Sequence, residues 1–201
     1  MSNKLQNKEI FMKTNDAKVK IITSITAVLI AAICMAIALL SPIYTTSFKI
    51  IGSFASIAVI SIVAWKFPKR FYILAIIFHF FAATLGSIIN LYNYIGFYDK
   101  LVHYLSGVLL AEAGMIIISF IFKKRSIAND NIIKLLFSFF FSAACAGFWE
   151  IYEFTADSIL SINMQGANSN TMGDIISGSL GALTYSLIMY AVYRRKNKKR
   201  K

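Results

Sequence analysis

The sequence predicts an all-α polytopic membrane protein with six transmembrane helices and both termini in the cytoplasm. Three observations lead there. Hydrophobic residues make up 58% of the 201-residue chain and mean hydropathy is +0.66, so no polar remainder is large enough to enclose a soluble core. The apolar residues fall into six runs of bilayer-crossing length. The basic residues cluster between alternate pairs of runs and in both tails, and most acids lie at the opposite ends.

The six runs are residues 21 to 43, 49 to 65, 71 to 92, 101 to 122, 132 to 156 and 174 to 193. A helix needs roughly 20 apolar residues to cross about 30 Å of hydrocarbon. The second run, with 17 residues, is the shortest that qualifies. Between the fifth and sixth runs lies a polar connection from about Asp157 to Gly173, rich in Asn, Ser, Gly and Gln.

Positively charged loops stay on the cytoplasmic side, so Lys and Arg set the orientation. Of the 21 basic residues, 19 lie in a tail at 1–20, a second tail at 194–201, or the connections around Lys66, Lys69 and Arg70 and around Lys123, Lys124, Arg125 and Lys134. Lys49 and Lys100 alone fall on the other side. The chain is thus expected to comprise a basic cytoplasmic tail (1–20), a membrane domain (21–193) and a second basic tail (194–201), placed in a bacterial cytoplasmic membrane. The net charge of +12 follows from this sidedness. It points to anionic lipid headgroups as partners of the tails, and a nucleic-acid partner is not expected. The Lys-bearing start, the first apolar run and the small pair Ala36 and Ala38 also resemble a cleavable signal peptide, although the run is long for one. Cys34 and Cys145 lie well inside runs, so no disulfide is expected.

The acids carry the functional information. At the start of the fourth run, Asp99 and His103 are four residues apart and share a helix face, which continues through Gly107, Leu110 and Gly114. At the end of the fifth, Glu150, Glu153 and Asp157 fall within about 60° of one another, above Ala146 and Ala143. Glu150 is expected roughly 10 Å inside the helix end. Asp174 opens the sixth run beside the small residues Gly173, Ser177 and Gly181. Lipid-facing carboxylates are expensive, and small residues let helices approach closely, so these faces should meet. Asp99, His103, Glu150, Glu153, Asp157, Gln165 and Asp174 therefore form one candidate pocket at the outer ends of the last three helices. Carboxylates crowded in low dielectric cannot all stay ionised, and such a pocket should hold protons, a cationic ligand or a metal ion. His103, Glu150, Glu153 and Asp174 are the expected metal ligands, and mixed imidazole and carboxylate donors suit zinc or manganese. A second pair, His79 and Glu112, is expected near the bilayer midplane, either as a structural hydrogen bond or as a proton relay.

Tyr98-Asp99-Lys100-Leu101-Val102-His103-Tyr104-Leu105-Ser106-Gly107, followed by Glu150-Ile151-Tyr152-Glu153, Gln165-Gly166, Asp174 and Gly181-Ala182, resembles a bacterial family of YjdF-type integral membrane proteins. It is similar, more loosely, to VanZ-like membrane proteins linked with teicoplanin resistance, which share an Asp-Lys-x-x-His start. The YjdF-type pattern carries two further acids and a Trp after the Gln-Gly pair, where this chain has Ala167, Ser169 and Asn170. The resemblance implies an envelope-associated membrane protein and carries no agreed reaction.

Three functions remain open at this level. The pocket binds or moves an envelope-related or lipid-linked substrate; or its charges are structural and the protein is a scaffold; or a metal held there activates water in an intramembrane hydrolase. Against the hydrolase stands the lack of an HExxH signature, a nucleophilic Ser motif or a phosphate-binding glycine loop.

Overall fold

A computed structural model of the chain describes residues 2–125, 130–161 and 163–198, with side chains from residue 14 onward. Lys199, Arg200 and Lys201 of the C-terminal tail, and the side chains of Lys4, Lys8 and Lys13, lie outside the described residues. The structure is all-helical, and among the described residues six helices are long and apolar enough to cross a membrane. They divide into two units, one ending at Gly96 and one beginning at Phe97.

The first unit contains α1 (Ser2–Leu40), α2 (Ser47–Val63), α3 (Lys69–His79) and a one-turn helix α4 (Leu91–Tyr94). Thr46 caps α2, its side chain accepting a hydrogen bond from the Lys49 amide. A short 3-10 turn, Ala64–Lys66, and Pro68 then separate α2 from α3. Proline fixes its own φ and disfavours helix in the residue before it, so the break falls there. Helix α1 runs through residue 21 without a break and takes Lys20 into the packed interior. The Lys20 ammonium donates to the carbonyls of Trp65 at 2.6 Å and Phe67 at 2.7 Å, groups left without helical partners where α2 ends.

The third span differs from a plain helix. Beyond His79 the backbone widens into a π-helix over Phe80–Ile88, closed by the Ile89 amide donating to the Thr84 carbonyl. It stops at Asn90, which takes left-handed geometry (φ 65°), so residues 91 and 92, expected inside this span, belong to α4. Asn and Asp tolerate that conformation better than other non-glycine residues. Asn90 is buried and accepts hydrogen bonds from Lys49 Nζ and Asn93 Nδ2.

The second unit is a trio of long helices, α5 (Tyr98–Lys124), α6 (Asn131–Leu160) and α7 (Asn168–Lys198). Asp130 caps α6 by accepting hydrogen bonds from the Ile132 and Ile133 amides. Helices α5 and α7 touch backbone to backbone: a Cβ on Gly107 would lie 2.0 Å from the Gly178 carbonyl oxygen, and one on Gly181 would lie 2.0 Å from that of Tyr104. Gly114 faces α6 instead, against Ser138 and Phe141. The buried line of α6 runs through Ser138, Ser142 and Ala146 to Glu150. The Ser138 and Ser142 hydroxyls donate to the α5 carbonyls of Ala111 and Gly107. Small side chains thus bring three backbones together where the hydrophobic effect gives no help between lipid-like surfaces. Outward faces carry apolar residues such as Phe120, Phe140, Phe148 and Leu187.

The connection between α6 and α7 is shorter than the sequence implied. Helix α6 continues to Leu160 and α7 starts at Asn168, so the expected loop from Asp157 to Gly173 contracts to residues 161–167. Asp157 explains the turn. Its carbonyl accepts from the Ser161 amide, and its carboxylate accepts from the Met164 and Gln165 amides at 2.6 and 2.9 Å. Ser161 and Gly166 supply the two left-handed positions (φ 53° and 68°).

Candidate functional site

The site forms where the loop-side ends of α5, α6 and α7 meet, and its residues sit at helical spacings. Asp99, Lys100 and His103 occupy the first two turns of α5; Asn170 and Asp174 lie one turn apart on α7. Asp174 is fully buried. Its Oδ1 accepts from Lys100 Nζ at 2.7 Å and its Oδ2 from Asn170 Nδ2 at 2.8 Å. Asn170 Oδ1 in turn accepts from Lys100 Nζ at 2.6 Å, closing a ring of three side chains. The Lys100 stem passes over Gly173, where a Cβ would lie 2.8 Å from Lys100 Cε. Glycine at 173 therefore makes room for the lysine to reach Asp174.

His103 stands beside this ring, its side chain 11% exposed, with Nε2 3.7 Å from both Asp99 Oδ1 and Asp174 Oδ1. Asp99 is also 3.6 Å from Lys100 Nζ. One donor atom from each of Asp99, His103 and Asp174 lies within 4.8 Å of the others, the one such group found among the described residues.

Two α6 carboxylates complete the acidic region. Glu153 accepts from Trp149 Nε1 at 2.8 Å, so this tryptophan does more than anchor the helix at the interface. Glu150, only 3% exposed, has no hydrogen bond of normal geometry at either oxygen among the described residues. It is close enough to Glu153, Asp174 and Asp99 to feel their charges. Thr171 on α7 is near it, and its hydroxyl is likewise buried without a hydrogen bond of normal geometry. Because α6 runs on to Leu160, Glu150 lies roughly 15 Å from that helix end, deeper than the roughly 10 Å expected.

Of the residues singled out from sequence, Asp99, His103 and Asp174 lie within ion-pair reach of one another, and Glu150 and Glu153 are buried beside them. Asp157 and Gln165 serve the loop instead: Gln165 contributes its backbone, donating to Asp157 and accepting from Asn170 Nδ2 at 3.2 Å. Asn170 is the member that sequence reasoning passed over as a lost acid. Its four-residue spacing from Asp174 is the signal that would have found it.

His79 and Glu112 each have a partner within their own unit. His79 Nε2 bonds the Ser53 carbonyl at 2.9 Å, and Glu112 Oε2 accepts from Tyr185 OH at 2.5 Å.

Comparison with known proteins places the site in context. The chain is 28% identical over 141 residues to an uncharacterized protein of Thermotoga maritima, spanning 70% of this chain and 72% of that one. No solved structure matches it. The model of a family described as predicted membrane protein DUF2238 matches residues 20–196, which includes at least part of each of the six long helices and every residue of the site. The chain, a multi-pass membrane protein, belongs to the DUF2238 family.

Proposed function

We propose that the α5–α7 trio binds a positively charged ligand, envelope-related or lipid-linked, through the acidic pocket, on the outer side of a bacterial cytoplasmic membrane. The observation that carries this is Glu150, a carboxylate buried at 3% exposure with no hydrogen bond of normal geometry at either oxygen among the described residues, the nearby Thr171 hydroxyl being the one donor close to it. A buried carboxylate left so is costly unless a proton or a cation joins it. The charge balance points the same way: Asp99, Glu150, Glu153, Asp157 and Asp174 face Lys100 and His103 alone in this region. The basic tails and the even number of long helices support the outer placement. A scaffold would have every acid satisfied, as Asp157, Glu153 and Asp174 are, and Glu150 departs from that pattern.

Native mass spectrometry of protein released directly from membranes tests the proposal. Wild type is expected to carry a bound adduct that Glu150→Gln loses, with the variant folded and present at normal abundance. Cells carrying the variant should show altered susceptibility to envelope-active antibiotics. Identical spectra and susceptibility for the two folded proteins would refute binding at this pocket and leave the scaffold function standing.

A further inference from the structure

We propose that Asp99, His103 and Asp174 bind a divalent transition-metal ion of the zinc or manganese kind, and that Lys100 is a built-in competitor whose ammonium leaves Asp174 when the ion enters. This deepens the cation binding proposed above and rests on it.

The donor geometry is close to what an ion requires. Ligands bound at roughly 2.1 Å lie about 3.0–3.5 Å from one another around zinc or manganese. His103 Nε2 is 3.7 Å from Asp99 Oδ1 and 3.7 Å from Asp174 Oδ1, and a donor from each of the three lies within 4.8 Å of the others, so coordination spacing needs a contraction of a few tenths of an ångström between the imidazole and each carboxylate and of up to about 1.5 Å between the two carboxylates. One imidazole with two carboxylates is a donor set that both ions accept.

Lys100 shows that a cation already suits this position. Its Nζ lies 2.7 Å from Asp174 Oδ1 and 3.6 Å from Asp99 Oδ2, between the same two carboxylates that would hold the ion. An ammonium and a divalent ion at that separation repel strongly in a low-dielectric setting, so one excludes the other. Asn170 Oδ1, 2.6 Å from Nζ, gives the displaced ammonium a neutral acceptor, and the lysine stem over Gly173 is free of branching that would hinder the swing.

Glu150 supplies the independent observation. It is 3% exposed, it feels the charges of Asp174 and Asp99, and among the described residues neither of its oxygens has a hydrogen bond of normal geometry, with the Thr171 hydroxyl nearby. Beside an ion it becomes a further negative ligand or a counter-charge. Exchange of a monovalent ammonium for a divalent ion adds one positive charge to a region with an excess of carboxylates. The exchange therefore moves the pocket towards neutrality.

The full-length protein in detergent, freed of metal by a chelator and then dialysed, is titrated calorimetrically with Zn²⁺ and with Mn²⁺. Wild type should bind one ion per chain, Lys100→Met should bind about tenfold more tightly or better, and Asp174→Asn should not bind. Lys100→Met leaves Asp174 without its cation and can fail to fold, so a measurement on wild type stands beside it. The rate at which an amine-reactive reagent labels Lys100, read by peptide mass spectrometry, should rise when Zn²⁺ is added and stay constant in Asp174→Asn. Equal affinities for folded wild type and Lys100→Met, or Lys100 labelling indifferent to bound Zn²⁺, would overturn the competition. No stoichiometric ion in wild type would overturn the metal site, while an adduct lost on Glu150→Gln would still uphold a different cation as ligand.

Discussion

Substituting Gly181 by Ala puts a methyl carbon 2.0 Å from the Tyr104 carbonyl oxygen and 3.2 Å from the Val108 amide nitrogen. A carbon and a carbonyl oxygen approach comfortably to about 3.3 Å, so α5 and α7 must part by about 1.3 Å. The obstructing atoms are backbone and cannot rotate away. Overpacking then costs about 3 kcal/mol, the upper end of its usual range. Better helix propensity of Ala over Gly offsets about 1 kcal/mol, which leaves a net loss near 2 kcal/mol. Gly107→Ala meets the Gly178 carbonyl oxygen at the same 2.0 Å and should lose a similar amount. Both methyls act on one helix contact, and the separation forced by the first makes room for the second. The double variant should therefore lose about 2–3 kcal/mol rather than twice the single value, a coupling within the range seen for residues that share a contact. Gly147→Ala is the control, since no atom lies within 4 Å of its would-be Cβ; it should be neutral or gain up to about 1 kcal/mol. Reversible unfolding in mixed detergent micelles, followed by far-ultraviolet circular dichroism, reads all four proteins. Single variants indistinguishable from Gly147→Ala, or a double variant equal to the sum of the singles, would refute the close backbone contact of α5 and α7.

Two further outcomes follow from other contacts. Lys20→Met removes the donors that satisfy the Trp65 and Phe67 carbonyls and should destabilise the first unit by about 1–3 kcal/mol, measured as faster amide exchange around residues 60–72. Tyr185→Phe should cost about 1 kcal/mol in the same micelle unfolding assay, and most of that cost should vanish when Glu112→Gln is already present, because the two side chains share one hydrogen bond. Equal costs in both backgrounds would place the energy of Tyr185 in its packing.

Much of the fold was legible because bilayer length is a coarse signal repeated along the chain. The six long helices come from hydropathy alone. Their ends were harder to place, since those depend on local donors: Asn90 stops the third span through its left-handed backbone, and Asp157 shortens the last connection by gathering amides from residues 161, 164 and 165. The pairing of Asp99 with His103 was readable because it depends on spacing within one helix. Contacts between helices required relative rotation, which the sequence specifies only through small residues. Gly107 and Gly181 gave that correctly, whereas Ser177 was expected at the α7 interface and Gly178 occupies it. Of the Lys100, Asn170 and Asp174 ring, Lys100 lay beyond reach because a lysine next to a membrane boundary reads first as topology.

Helix length in this chain has a consequence for the lipid around it. The spans Ser47–Lys66 and Lys69–Ile88 contain 20 residues each, whereas α5, α6 and α7 contain 27, 30 and 31. At 1.5 Å per residue an α-helix of 20 residues reaches about 30 Å, and helices of 27 to 31 reach about 40–47 Å. The π-helical stretch in the third span shortens it further, since a wider helix rises less for each residue. The second and third spans therefore ask for a thinner hydrocarbon layer than α5, α6 and α7, whereas α1, with 39 residues, does not share that limit. A thicker bilayer strains those two spans and suits the longer helices, and a thinner one does the reverse, each at fractions of a kcal/mol per ångström. Membrane composition, through acyl-chain length alone, becomes a variable that sets how far the acidic ends of α5, α6 and α7 stand from the headgroups.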